Sequence, residues 1–117
     1  MREMIYDAKK HIDMDYIYDL FEKNTGKKII CFGGGTAAEI LMKEIQGKYQ
    51  IECFLDNNKK IQGTEMCGRL ICPPDVLLNM KKGEYTVFIL SKHVDAISEQ
   101  LENMGLRKEE DYFDIKT

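Results

Sequence analysis

The sequence predicts an α/β fold in three layers, a doubly wound parallel sheet with helices on both faces and a helical extension at the N-terminus. Three observations predict it. Residues 29–32 (IICF) are a short apolar run, which reads as a strand buried on both faces. Gly33, Gly34 and Gly35 follow without a break, and Ala38, Leu41, Met42 and Ile45 then recur at helical spacing, so the chain passes through a glycine turn into an amphipathic helix. A second apolar run, residues 51–55, ends in Asp56.

The glycine turn also carries a chemical expectation. Gly33, Gly35 and Ala38 fit the G-x-G-x-x-G/A pattern that opens a Rossmann-like βαβ unit. In that pattern the first glycine makes the tight turn and the second lets backbone approach a phosphate. A small third residue lets helix and strand pack closely. Free N–H groups and the positive dipole end at the helix start favour an anion. Asp56 stands about 20 residues beyond Gly35, where a carboxylate can accept hydrogen bonds from ribose hydroxyls. The plainer alternative is that the glycines only make a tight turn and Asp56 only caps a loop.

The remaining elements follow in order. Met1, Ile5, Ala8 and Ile12, then Met14, Ile17, Tyr18 and Phe21, recur at helical spacing, which predicts one or two helices over residues 1–24. Asp13 can cap the second, and Asn24-Thr25-Gly26 supplies a stop. Their apolar stripe packs either on the domain's own sheet or against a second copy or a partner enzyme. Tyr6 and Lys10 match the Y-x-x-x-K spacing of short-chain dehydrogenases, but they precede the first strand, and the match is chance. After Asp56 comes a polar loop, NNKKIQGTEMCG, in which Asn57, Asn58, Lys59 and Lys60 are candidate base, ribose or phosphate contacts, with a solvated loop as the commoner explanation.

Residues 69–72 read as a strand, stopped by Pro73 and Pro74, with a helix expected at about residues 74–80. Residues 85–90 (YTVFIL) are a further core strand, and Ser91 at its end can cap the next helix, whose stripe is Val94, Ile97, Leu101 and Met104. Residues 111–115 supply a last strand. The order is a helical extension over 1–26, then β-α-β-β-α-β-α-β over 27–117 as one Rossmann-like nucleotide-binding domain. Ligands of such sheets bind beyond the carboxyl ends of the strands. The tips expected there are residues 33–36, Asp56 with Asn57, and Ser91 with Lys92 and His93. The candidate binding set is therefore Gly33, Gly34, Gly35, Thr36, Ala38, Asp56, Asn57 and Ser91.

Composition narrows the function. The chain has 117 residues, enough for one core but short for a complete dehydrogenase. Lysine plus arginine number 17 against 20 aspartate plus glutamate, a net charge of -3 that gives no reason to expect nucleic acid or an anionic membrane as partner. The sequence contains no membrane-length apolar run and no signal-peptide segment at its start, so a cytoplasmic location is expected. Cys31, Cys53, Cys67 and Cys72 form no C-x-x-C pair, and reduced structural thiols are expected rather than a metal site.

Taken together, ICFGGGTAAEILMKEI, IECFLDNNKKIQG, GRLICPPDVL and YTVFILSKHVDAISEQLENMGL resemble the small Rossmann-like domains of bacterial surface-polysaccharide and nucleotide-sugar enzymes. Such domains stand at the front of sugar acetyltransferases, where they can hold a nucleotide sugar. Related ones occur in nucleotide-sugar dehydratases and at the tail of sugar C-methyltransferases. The resemblance covers residues 27 to about 115 and implies a module that holds a ligand or docks. No hexapeptide β-helix with a catalytic histidine follows, and no substrate domain. Where an S-adenosylmethionine motif would want an acid, Cys31 stands. The resemblance thus carries over no catalytic residue. Three readings remain: a nucleotide module for a nucleotide sugar or NAD, an interaction module with an unoccupied glycine loop, and a small NAD-dependent oxidoreductase completed across a dimer.

Overall fold

The computed structural model describes residues 13–45 and 47–115. Among these described residues, three α-helices, one 3₁₀-helix and six strands run in the order α1 (Met14–Lys23), β1 (Lys28–Phe32), α2 (Thr36–Ile45), β2 (Ile51–Leu55), β3 (Glu65–Met66), β4 (Arg69–Cys72), the 3₁₀-helix (Pro74–Asn79), β5 (Tyr85–Ile89), α3 (Val94–Asn103) and β6 (Tyr112–Asp114). The strands lie in the order β3-β4-β2-β1-β5-β6. Every pairing is parallel except β3 with β4. β1 and β5 match residue for residue from Lys28↔Tyr85 to Phe32↔Ile89. The sequence winds outward in one direction from β1 through β2 to β4, then in the other through β5 to β6. β1 and β5 therefore flank the switch point, where their carboxyl ends diverge from helices on opposite faces. The predicted doubly wound α/β fold is the observed one.

The two faces bury different sets. Cys31, Phe54 and Phe88 point to the face covered by α1 and α2, through Ile17, Leu20 and Phe21 of the first and Ala38, Leu41 and Ile45 of the second. Ile30, Leu55, Val87 and Ile89 point to the face covered by the 3₁₀-helix through Leu77 and by α3 through Ile97 and Leu101. Successive residues of β1 and β5 thus alternate between two cores, the reason their sequence is continuously apolar.

α1 has a specific place. α1 and α2 share one face of the sheet, and α1 meets β5 there, with the Phe21 ring edge-on to Phe88 at 5.0 Å. Asp13 caps it by accepting the Tyr16 N–H at 3.1 Å. Asn24 closes it and ties it to the sheet, since its amide donates to the Leu20 carbonyl at 2.8 Å and accepts from the Thr86 hydroxyl at 3.1 Å. The stripe of the second predicted helix therefore packs on the chain's own sheet. The first predicted helix and its stripe lie outside the described residues.

Two local expectations are corrected. The segment after Pro73 is a 3₁₀-helix of six residues, too short to make the full turns of an α-helix, and it leaves Leu78 exposed. Ahead of β4 the polar loop folds back as an antiparallel β3, turning at Cys67 and Gly68, both at positive φ (51° and 80°). Cysteine seldom adopts that conformation, and the hairpin is accordingly hard to read from sequence. No helix among the described residues is long and apolar enough to cross a membrane.

Candidate functional site

A cleft of about 450 Å³ opens at the switch point, lined by residues 33–38 after β1, Asp56 after β2, and residues 90–93 after β5. The three expected strand tips converge there.

The three glycines have different reasons to be glycine. Gly33 sits at φ +123°, and a Cβ on it would lie 3.4 Å from the Ser91 nitrogen and 3.5 Å from the Leu90 carbonyl carbon. Its N–H donates to the Leu55 carbonyl at 2.7 Å, while the Leu90 N–H donates to the Phe32 carbonyl at 2.9 Å, so the β1 tip is tied to β2 on one side and to β5 on the other. Gly34 is crowded by Ile71 Cδ1, 3.2 Å from its would-be Cβ. Gly35 is neither strained nor crowded: its φ is not positive, and a Cβ there would meet nothing within 4 Å. The fold asks for the first two glycines. The third lines the cleft and has no neighbour that requires a glycine.

Gly35 also serves as the cap residue of α2, its carbonyl accepting from the N–H groups of Ala38 at 3.1 Å and Glu39 at 3.2 Å. The first turn of a helix has no carbonyl one turn back for its own donors. Among the described residues no acceptor stands opposite the N–H groups of Thr36 and Ala37. They border the cleft at the positive end of the helix. Ala38, fully buried, lets α2 approach the sheet as a small residue should at that place.

Asp56 ties the site together. Its Oδ2 accepts the Gly34 N–H at 2.9 Å and its Oδ1 accepts the Asn58 N–H at 2.8 Å. The carboxylate expected to read a ribose is thus already fastened to the glycine loop. Each oxygen keeps a further lone pair for a donor in the cleft. Asn57, by contrast, does not line the cleft: its amide exchanges two hydrogen bonds with that of Gln100 in α3, at 2.9 and 3.0 Å. Ser91 lines the cleft but does not cap α3, because its hydroxyl accepts the N–H of His93, which itself occupies the cap position. Lys92 and His93 complete that wall. Gln100 was not legible in the sequence as a site-associated residue, since a glutamine on a helix flank carries no pattern of its own.

The thiols lie apart from this chemistry. Burial pushes Cys31 far up, and burial with the neighbouring Cys72 pushes Cys53 up to about 12, so both remain protonated. Among the described residues no three His, Cys, Asp or Glu side chains converge in the manner of a metal site. A wider cleft of about 720 Å³ lies at the other end of the sheet, between α1 and residues 109–113.

No curated protein is significantly similar to the chain in sequence. Among solved structures it is similar to the UDP-D-quinovosamine 4-dehydrogenase of Vibrio fischeri, with 29% identity and a TM-score of 0.56 over 68% of this chain and 73% of that one. The likeness is therefore to a domain of a nucleotide-sugar enzyme. Residues 25–110, the span from the end of α1 to the approach of β6, match the model described as C2185-like, N-terminal, and the chain belongs to that family.

Proposed function

We propose that the chain is a nucleotide-binding module serving nucleotide-sugar metabolism, with the diphosphate of a nucleotide sugar seated at the glycine turn. The observation that carries this reading is Gly35, the one glycine of the turn whose missing side chain answers to no neighbour among the described residues and which lines the cleft. In this arrangement the Thr36 and Ala37 N–H groups and the Thr36 hydroxyl hold phosphate. Asp56 accepts from a ribose hydroxyl or a base N–H, and Ser91, Lys92 and His93 form the opposite wall. The similarity to an enzyme named for a UDP-sugar makes a UDP-hexose the first ligand to try and NAD the second. No pair of cleft residues forms a nucleophile with its base, so catalytic groups would come from a partner enzyme or a second copy.

Titration with UDP-hexoses, UDP and NAD tests this. A ligand at 100 times its dissociation constant should stabilise the fold by about 2.7 kcal/mol, a visible thermal shift. Gly35→Val places two methyl groups in the space reserved for phosphate. Because Gly35 is not at positive φ, that change should cost at most about 1 kcal/mol of stability, as a poorer helix cap. It should nonetheless weaken the UDP-hexose at least tenfold. Asp56→Ala is a less clean probe, since it also releases the Gly34 and Asn58 N–H groups.

A second reading is favoured by the Asp56 clasp itself. A carboxylate that satisfies the glycine loop's own donor is what an interaction module with an empty loop would keep. No stabilisation by any of these nucleotides would support that reading and remove the first.

A further inference from the structure

The geometry points to the Asn57–Gln100 amide pair as a positioning latch for the cleft, one that holds Asp56 and the glycine loop in place without touching the ligand. The inference rests on the nucleotide-binding reading of that cleft. Three facts carry it. The pair is reciprocal, two hydrogen bonds of 2.9 and 3.0 Å between residues 43 apart in sequence, so it joins the β2 tip to α3 directly. Asn57 adjoins Asp56, whose two carboxylate oxygens hold the Gly34 and Asn58 N–H groups. And α3 begins at the cleft wall, with His93 at its cap and Ser91 Oγ accepting the His93 N–H at 3.0 Å.

The result is a closed ring of contacts around the cleft. β1 meets β5 through the Leu90 N–H on the Phe32 carbonyl, β1 meets β2 through Gly34 and Asp56, and β2 meets α3 through Asn57 and Gln100. The first two links are less exposed than the third and are made by backbone or by a carboxylate on backbone. The third is an exposed pair of neutral amides, so it is the weakest member of the ring and the one whose loss lets the mouth widen. Neutrality suits the position, since the latch stands beside the cleft lining without adding charge near the proposed anion site.

A double-mutant cycle with UDP-hexose as probe tests this. Asn57→Ala and Gln100→Ala should each weaken binding about three- to tenfold. The double variant should be no worse than either single one, because the second change breaks nothing further. Asn57→Asp combined with Gln100→Lys replaces the amide pair with an ion pair and should restore affinity to within about twofold. Each thermal midpoint should stay near that of the wild type, separating a positioning role from general stability. Additive losses, or unchanged affinity in the single variants, would overturn the latch. If the wild type binds no UDP-hexose, the nucleotide reading fails by itself, and amide exchange decides the latch. Gly34 and Asn58 N–H groups should then exchange faster in both single variants, and unchanged exchange there would overturn it.

Discussion

At the amino ends of β1 and β6 a cleft of about 720 Å³ opens between α1 and residues 109–113, while at the carboxyl ends of β1 and β5 the space is only about 450 Å³. In the larger, Asn24 is bonded to Leu20 and Thr86 and Asp111 accepts the Arg107 N–H, so these two polar groups already serve the fold. The smaller is walled by a helix start with unused backbone donors and by a glycine that no neighbour requires. Volume alone would choose the other end. What distinguishes a binding cleft is polar groups held in place with no partner inside the protein.

If this comparison holds, changes at the rear of the sheet should alter stability without altering affinity per folded molecule, and changes at the front should do the reverse. Phe21→Ala is the strongest test at the rear. The ring is buried between Phe88 and Tyr49, each 5.0 Å away between centroids, and its loss should cost about 3–5 kcal/mol in urea unfolding. Ligand affinity of the folded fraction should not change. A large loss of affinity from Phe21→Ala would show that the two ends are coupled.

The glycines sharpen the comparison within the front itself. Gly33→Ala places a Cβ at φ +123°, 3.4 Å from the Ser91 nitrogen, and should cost about 1–3 kcal/mol. Gly35→Ala meets no neighbour and should cost less than about 0.5 kcal/mol. Two glycines that look alike in the motif should therefore separate in thermal unfolding. Equal losses would mean that the open space at Gly35 is filled within the protein.

Much of this was legible in the sequence, for physical reasons. Apolar runs identified β1, β2 and β5, interrupted only at the exposed Glu52 of β2, because both faces of those strands are covered. Asp13 and Asn24 marked the ends of α1 because caps require particular side chains. The three cleft tips followed from topology, since a doubly wound sheet has one switch point. β3 was not legible, because a two-residue strand has no period and its Cys67-Gly68 turn uses an unusual residue at positive φ. Nor was the fate of Asp56 and Asn57. Their positions were foreseen, but partners so remote in sequence as Gly34 and Gln100 leave no trace in local pattern.

The smallest expected effect concerns pH, and it too belongs to the rear. Tyr85 and Tyr112 begin β5 and β6, and both are buried. Burial raises the Tyr85 phenol above its ordinary value of 10.0, with the Asp111 charge adding to it. Burial, then the hydrogen bond to Glu102, raises Tyr112 in the same way. A group whose value is raised in the folded state contributes stability fully present below its unfolded value and lost as pH climbs past it. Stability should therefore hold through pH 7 to about 8.5, then fall as the unfolded chain releases its cysteine protons near 9 and its tyrosine protons near 10. Each group can contribute up to about 1.4 kcal/mol per pH unit in that window. Urea midpoints measured between pH 7 and pH 10.5 would show the decline, and Tyr85→Phe should make it shallower. A decline just as steep in that variant would assign the loss to the other buried phenol and the thiols. A midpoint that began to fall well below pH 8.5 would point instead to a group outside the buried rear of the sheet.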